Sequence, residues 1–167
     1  SDKLKNQLEF LTANPVYSFV CNDILHINQN GSGRQDRWPG ISSELKINLR
    51  LLGEEYPVAT NTLMLRGDFL PKVLTKLSRV EHTKILGDYF LISLLLTQGP
   101  GYYFPKKVSA YRYHENSNFS SNSLQDKVYR GLLTRKILLK SFAMHMQWGY
   151  VIIIIKNYLK FKKRFLE

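Results

Sequence analysis

A chain of 167 residues, 44% of them apolar, is long enough to bury a core and too apolar to be a disordered tail. Its formal net charge of +11 implies an anionic partner: a membrane surface, nucleic acid or a phosphate-bearing substrate. One cysteine, Cys21, excludes an internal disulfide and a cysteine-based zinc site, and fits a reducing cytoplasm. No signal-peptide pattern opens the chain, and the run YVIIII is far short of the ~20 apolar residues of a membrane span.

In chain order, SDKLKNQLEFLTANP predicts a helix capped by Ser1 or Asp2, with Leu4, Leu8 and Leu11 as its apolar stripe and Asn14-Pro15 as its stop. Residues 16–33 read as strand, turn and loop, and 31–56 as a polar, irregular and mobile segment. PVATNTLMLRGDFLPKVL reads as a strand entering a short helix at Gly67-Asp68. Residues 81–101 read as a helix stopped by Gly99 and Pro100. The segment from 101 to 123 reads as two short strands around Pro105 followed by a Ser/Asn loop. Next comes a long helix, opened by a capping box of Ser123 and Asp126 and dented at Gly131. A last helix spans roughly 150–166.

Asp88 is the odd residue of the 81–101 helix. At 100° per residue, Ile85, Leu91, Ile92, Leu95 and Leu96 all fall within about 80° of it. A continuous helix would put an unpaired carboxylate on its apolar face, which costs several kcal/mol. Either Gly87 breaks the helix and Asp88 caps a second one, or Asp88 lines a cleft and does chemistry.

The basic excess is concentrated at the end. From residue 125 onward ten Lys and Arg face only Asp126 and Glu167. Val151, Ile154, Tyr158, Phe161 and Phe165 make an apolar stripe, flanked by Lys156, Lys160, Lys162, Lys163 and Arg164. That pattern fits a basic amphipathic helix in a membrane interface, with Lys156, Lys160, Phe161, Lys163 and Phe165 as contact residues. It fits equally a stripe packed on its own domain or on a second copy in a homodimer. A nucleic-acid reading explains the charge but finds no helix-turn-helix, zinc-finger or RNP-type motif. The four histidines, His26, His82, His114 and His145, are too scattered to form a metal motif, and no standard phosphate loop or hydrolase signature is present.

Taken in order, KLKNQLEFLTANPVYSF, PVATNTLMLRGDFL, GDYFLISLLLTQG and VSAYRYH resemble the C-terminal half of a bacterial family 2 glycosyltransferase of the GT-A fold. The resemblance implies a mixed α/β fold: a small mixed sheet with flanking helices and a helical C-terminal tail. Residues 1–120 would be the acceptor-side half and 121–167 a basic helical extension. It implies an inverting transferase that moves a sugar from a nucleotide-sugar donor to a saccharide or lipid-linked acceptor in bacterial surface polysaccharide synthesis. The enzyme would be cytoplasmic, peripheral at the inner face of the cytoplasmic membrane.

By the same resemblance Asp88 is the general base. Arg112 and His114 lie near the donor diphosphate or its metal. Thr60, Asn61, Thr62 and Arg66 floor the acceptor pocket, although plain strand and turn structure explains those four equally well. The family's nucleotide-binding half, with the Asp-x-Asp pair that holds Mn²⁺ or Mg²⁺, has no counterpart in these residues; Glu54-Glu55 are adjacent and diverge. The chain alone is therefore expected to bind no metal, except through His114, and to be inactive. The alternative expectation is a non-catalytic module that self-associates or docks on a membrane surface.

Overall fold

The computed structural model describes residues 2–33, 41–54, 56–77, 85–113, 123–144 and 147–166. Four strands form one sheet: β1 (Phe19–Ile27), β2 (Leu45–Ile47), β3 (Met64–Leu65) and β4 (Gly101–Arg112), in the order β2-β4-β1-β3. The central pair, β1 and β4, is parallel, and the short edge strands add antiparallel. Among the described residues six α-helices accompany the sheet: α1 (Lys3–Ala13), α2 (Leu49–Glu54), α3 (Leu70–Leu77), α4 (Gly87–Leu95), α5 (Leu124–Met144) and α6 (Trp148–Leu166). The expected mixed α/β class is what the chain adopts.

β1 is buried on both faces from Phe19 to Ile24, as a central parallel strand must be. Its polar residues are consequently partnered. Asn22 Oδ1 accepts from Gln7 Nε2 at 2.7 Å, and Asp23 Oδ1 accepts from the Ile24 N–H at 2.9 Å. Beyond the two residues of β3, the edge of β1 is met by a side chain. The Thr62 hydroxyl accepts from the Asn22 N–H at 3.0 Å and lies 3.0 Å from the Asn22 carbonyl.

Gln7 turns α1 away from its expected stripe. Leu4 and Leu8 are 63% and 60% exposed, whereas Gln7 and Leu11 are buried. The amide of Gln7 also donates to the Thr62 carbonyl at 2.7 Å, so hydrogen bonding to the sheet, rather than leucine count, selects the inward face.

Two further expectations are corrected. The segment read as irregular contains β2 and α2, which the leucines of ELKINLRLL bury against the fold through Ile47, Leu49 and Leu52. Residues 101–112 form one strand rather than two. Pro105 has no N–H for a ladder, and the register slips past it: Asn22 faces Phe104, Asp23 faces Lys107 and Ile24 faces Ser109. In the segment from 57 to 74 the strand is Met64–Leu65, flanked by 3₁₀ turns over Thr60–Thr62 and Gly67–Phe69, and the expected short helix follows as α3 from Leu70.

α5 and α6 are antiparallel: Phe142 meets Tyr150 near their connection, and Gly131 lies against the Phe161 ring at the other end. A Cβ on Gly131 would fall 2.7 Å from that ring, so this glycine allows close approach within an unbroken helix. The Ser123 half of the capping box forms, with the Asp126 N–H donating to Ser123 Oγ at 3.1 Å, while the Asp126 carboxylate accepts from the Ser123 hydroxyl at 2.6 Å. Leu138, Phe142, Val151 and Ile154 share one core with Phe19, Tyr103 and Phe90, so α5 and α6 pack on the same core as the sheet.

Candidate active site at the start of helix α4

The described part of the 81–101 helix begins at Gly87, with extended Leu86 as its N-cap. Asp88 stands in the first turn and is exposed, so no carboxylate is buried in an apolar face. Its Oδ1 accepts from the Tyr89 N–H at 2.7 Å, one of the free donors at a helix start.

Three elements converge there. From the loop after α2, the hydroxyl of half-buried Tyr56 lies beside the Asp88 carboxylate and beside Thr60. Burial raises the Tyr56 pKa, and the negative charge of Asp88 adds to the effect. The phenol therefore stays protonated and can donate to Asp88 or to a bound hydroxyl. Cys21 of β1 is close enough to Tyr56 to add slightly to its raised pKa, and burial pushes the Cys21 thiol itself well above its usual range.

α5 supplies the bracing. Thr134 Oγ1 accepts from the Leu86 N–H at 2.8 Å and donates to the Arg130 carbonyl at 2.6 Å. This fixes where α4 begins and hence where Asp88 points. The next residue along, Arg135, is 5% exposed, with its guanidinium 4.4 Å from the Tyr89 ring centre and 4.1 Å from that of Phe161. Its Nη1 donates to the Gly131 carbonyl at 3.0 Å. Burial lowers the Arg135 pKa, and the adjoining Tyr89 opposes that shift. A planar cation stacked between two rings, with one bond to a backbone carbonyl, is a role that lysine cannot fill.

Of the residues singled out in sequence, Asp88 and Thr60 meet at Tyr56. Thr62 is spent inside the fold, its hydroxyl donating to the Ala59 carbonyl at 2.7 Å as well as meeting Asn22. Asn61 Nδ2 reaches the Ala110 carbonyl at 3.4 Å. Arg66 closes the C-terminal end of α1 through the carbonyls of Leu11, Asn14 and Tyr17, a structural use of its charge. Arg112 lies at the far end of β4 and donates to the Gln29 carbonyl at 2.9 Å. His114 lies outside the described residues. Tyr56, Thr134 and Arg135 carried no motif; their part depends on the packing of α5 against α4.

The Thr134 bond is testable. Thr134→Val keeps the shape, leaves the Leu86 N–H without its acceptor, and is expected to cost about 1–2 kcal/mol in urea denaturation. An unchanged midpoint would mean that the start of α4 is held by other contacts.

Two surface hollows, of about 440 and 420 Å³, lie along α2 and α6 rather than at Asp88. Among the described residues no group of three or more His, Cys, Asp or Glu could hold a metal ion. Compared with family models, curated proteins and solved structures, the chain shows no match.

Proposed function

We propose that this chain is the acceptor-side half of an inverting glycosyltransferase of the family 2, GT-A type, acting in bacterial surface polysaccharide synthesis on a saccharide or lipid-linked acceptor. The observation that supports this reading is the exposed Asp88 carboxylate at the braced start of α4, beside the Tyr56 hydroxyl and Thr60. An acceptor hydroxyl placed against Asp88 gives up its proton to the carboxylate as its oxygen attacks the anomeric carbon. The new C–O bond forms as the bond from that carbon to the donor phosphate breaks, and the electron pair leaves with the nucleoside diphosphate. Tyr56, kept protonated, orients the carboxylate or the incoming sugar. The donor site and its Mn²⁺ or Mg²⁺ would come from outside these residues, and no step of the chain's own chemistry runs through a metal.

Calorimetric titration of the purified chain with UDP, GDP and dTDP, each with and without Mn²⁺, tests the division of labour. No binding is expected. Metal-dependent micromolar binding would place a donor site within these residues or across a dimer, and the half-enzyme reading would fall.

A further inference from the structure

The stripe predicted to meet a membrane does not face outward. Val151 and Ile154 are buried in the core, and Tyr158 and Phe161 are half-buried against the fold. The side chain of Phe165 lies outside the described residues. This is the packing alternative for that stripe, and it leaves the charge of α6 to be explained by its other face.

That face carries a second apolar row. Trp148, Ile152, Ile155 and Leu159 are 59%, 55%, 42% and 57% exposed. At 100° per residue the last three fall within about 40° of Trp148, a continuous row about 16 Å long. Lys162 borders it on one side, and Lys163 and Lys156 border it on the other at about 60–80°. All three lysines are exposed. No acidic residue lies within Trp148–Leu166.

We infer that this outer face of α6 docks on an anionic lipid surface, with the apolar row in the headgroup–acyl boundary and the lysines on lipid phosphates. An apolar row of this size on a soluble face calls for an occupant. The charge selects among occupants. A second copy would bring lysines against lysines, which disfavours a paired helix face. Nucleic acid would use the lysines and leave the row in water. An anionic bilayer satisfies both, and a tryptophan at one end of the row suits the interfacial zone. Among the described residues no helix is long and apolar enough to cross a membrane, so the docking is peripheral to the bilayer. The inference stands on α6 alone and does not require Asp88 to be a base.

The test is co-sedimentation of the full chain with phosphatidylcholine vesicles and with vesicles containing about 30% phosphatidylglycerol. Binding at least about tenfold tighter to the anionic vesicles is expected, weakening with salt. In a Trp38→Phe background, Trp148 emission should shift to the blue on binding. The double variant Ile152→Asp/Leu159→Asp should lose at least about tenfold in affinity. Leu74→Asp, the same change at a 50% exposed leucine on α3, should leave binding intact. Circular dichroism and light scattering on each variant separate loss of the face from loss of fold or of self-association. Equal binding to both vesicle types, no binding to either, or an unshifted Trp148 would overturn the inference. So would full binding by the folded double variant, or a dimer that this variant converts to monomer.

Discussion

Asp88→Asn is expected to lower turnover by about a thousandfold in an enzyme that contains both halves, with the KM for acceptor changed only a few-fold. The amide keeps the size and the hydrogen bond from the Tyr89 N–H, and loses the ability to take a proton. Because Asp88 is exposed and its helix start is held by Thr134, the variant should unfold at the same urea concentration as the parent. Thr134→Val provides the contrast. It acts on position rather than on the proton and should lower both stability and turnover, with a smaller effect on rate. An Asp88→Asn enzyme with near-normal turnover would remove the carboxylate from the reaction, whatever its position.

Strong alkali is expected to unfold the protein well before its arginines lose their charge. Cys21, Tyr56, Tyr89 and Tyr103 all have pKa values raised chiefly by burial. Asp88 adds to the effect at Tyr56 and Asp23 at Tyr103, while Arg135 opposes it at Tyr89. The unfolded chain releases these protons near the ordinary pKa values of 9.0 for the thiol and 10.0 for the phenols; the folded chain holds them. Above pH 9 the folded state therefore binds more protons, and stability must fall as pH rises. Each group contributes a slope of about 1.4 kcal/mol per pH unit once its unfolded form is ionised. Between pH 9 and pH 11 the loss from Cys21 and Tyr56 alone is on the order of 4 kcal/mol, a large part of the stability of an ordinary domain. Urea midpoints should be level from pH 7 to 9 and collapse by pH 11. Tyr56→Phe removes one ionisable group and should flatten the decline by its share. A midpoint unchanged at pH 11 would mean that these groups are not held protonated in the fold.

The elements that were legible in sequence are those whose signals are local. α1, α5 and α6 occupy close to the spans expected of them, and Ser123 caps α5 through the Asp126 N–H. What was misread depends on partners distant in the chain. The inward face of α1 is chosen by a glutamine because its two acceptors lie on β1 and in the Thr60–Thr62 turn. Pro105 suggested a break between strands, but β1 accommodates it by a shift in pairing. α6 has two apolar rows, and periodicity alone could not say which one α2 and α5 would cover. At the site, Asp88 stood out because a carboxylate interrupts an apolar period. Tyr56, Thr134 and Arg135 look like ordinary helix and loop residues, and only tertiary packing gives them their part. Arg66 and Thr62, singled out by the resemblance with plain turn structure as the equal alternative, make hydrogen bonds to backbone carbonyls.

The bracing of α4 by α5 also sets an order of events during synthesis. Asp88 leaves the ribosome before Thr134, Arg135 and Phe161, the residues on which the start of α4 and the Tyr89 stack depend. At ordinary elongation rates of about 5–20 residues per second, the sheet strands are present for several seconds before the last two helices can dock. Through that interval the first turn of α4 has no acceptor for its Leu86 N–H from α5, and the core has not received Leu138, Phe142 and Ile154. The nascent chain is thus an open sheet awaiting its lid, and a stop codon near residue 120 would release that species permanently. Such a product would keep Asp88 and lack the contacts that hold its helix start, so α5 and α6 act as a check on which chains acquire that arrangement.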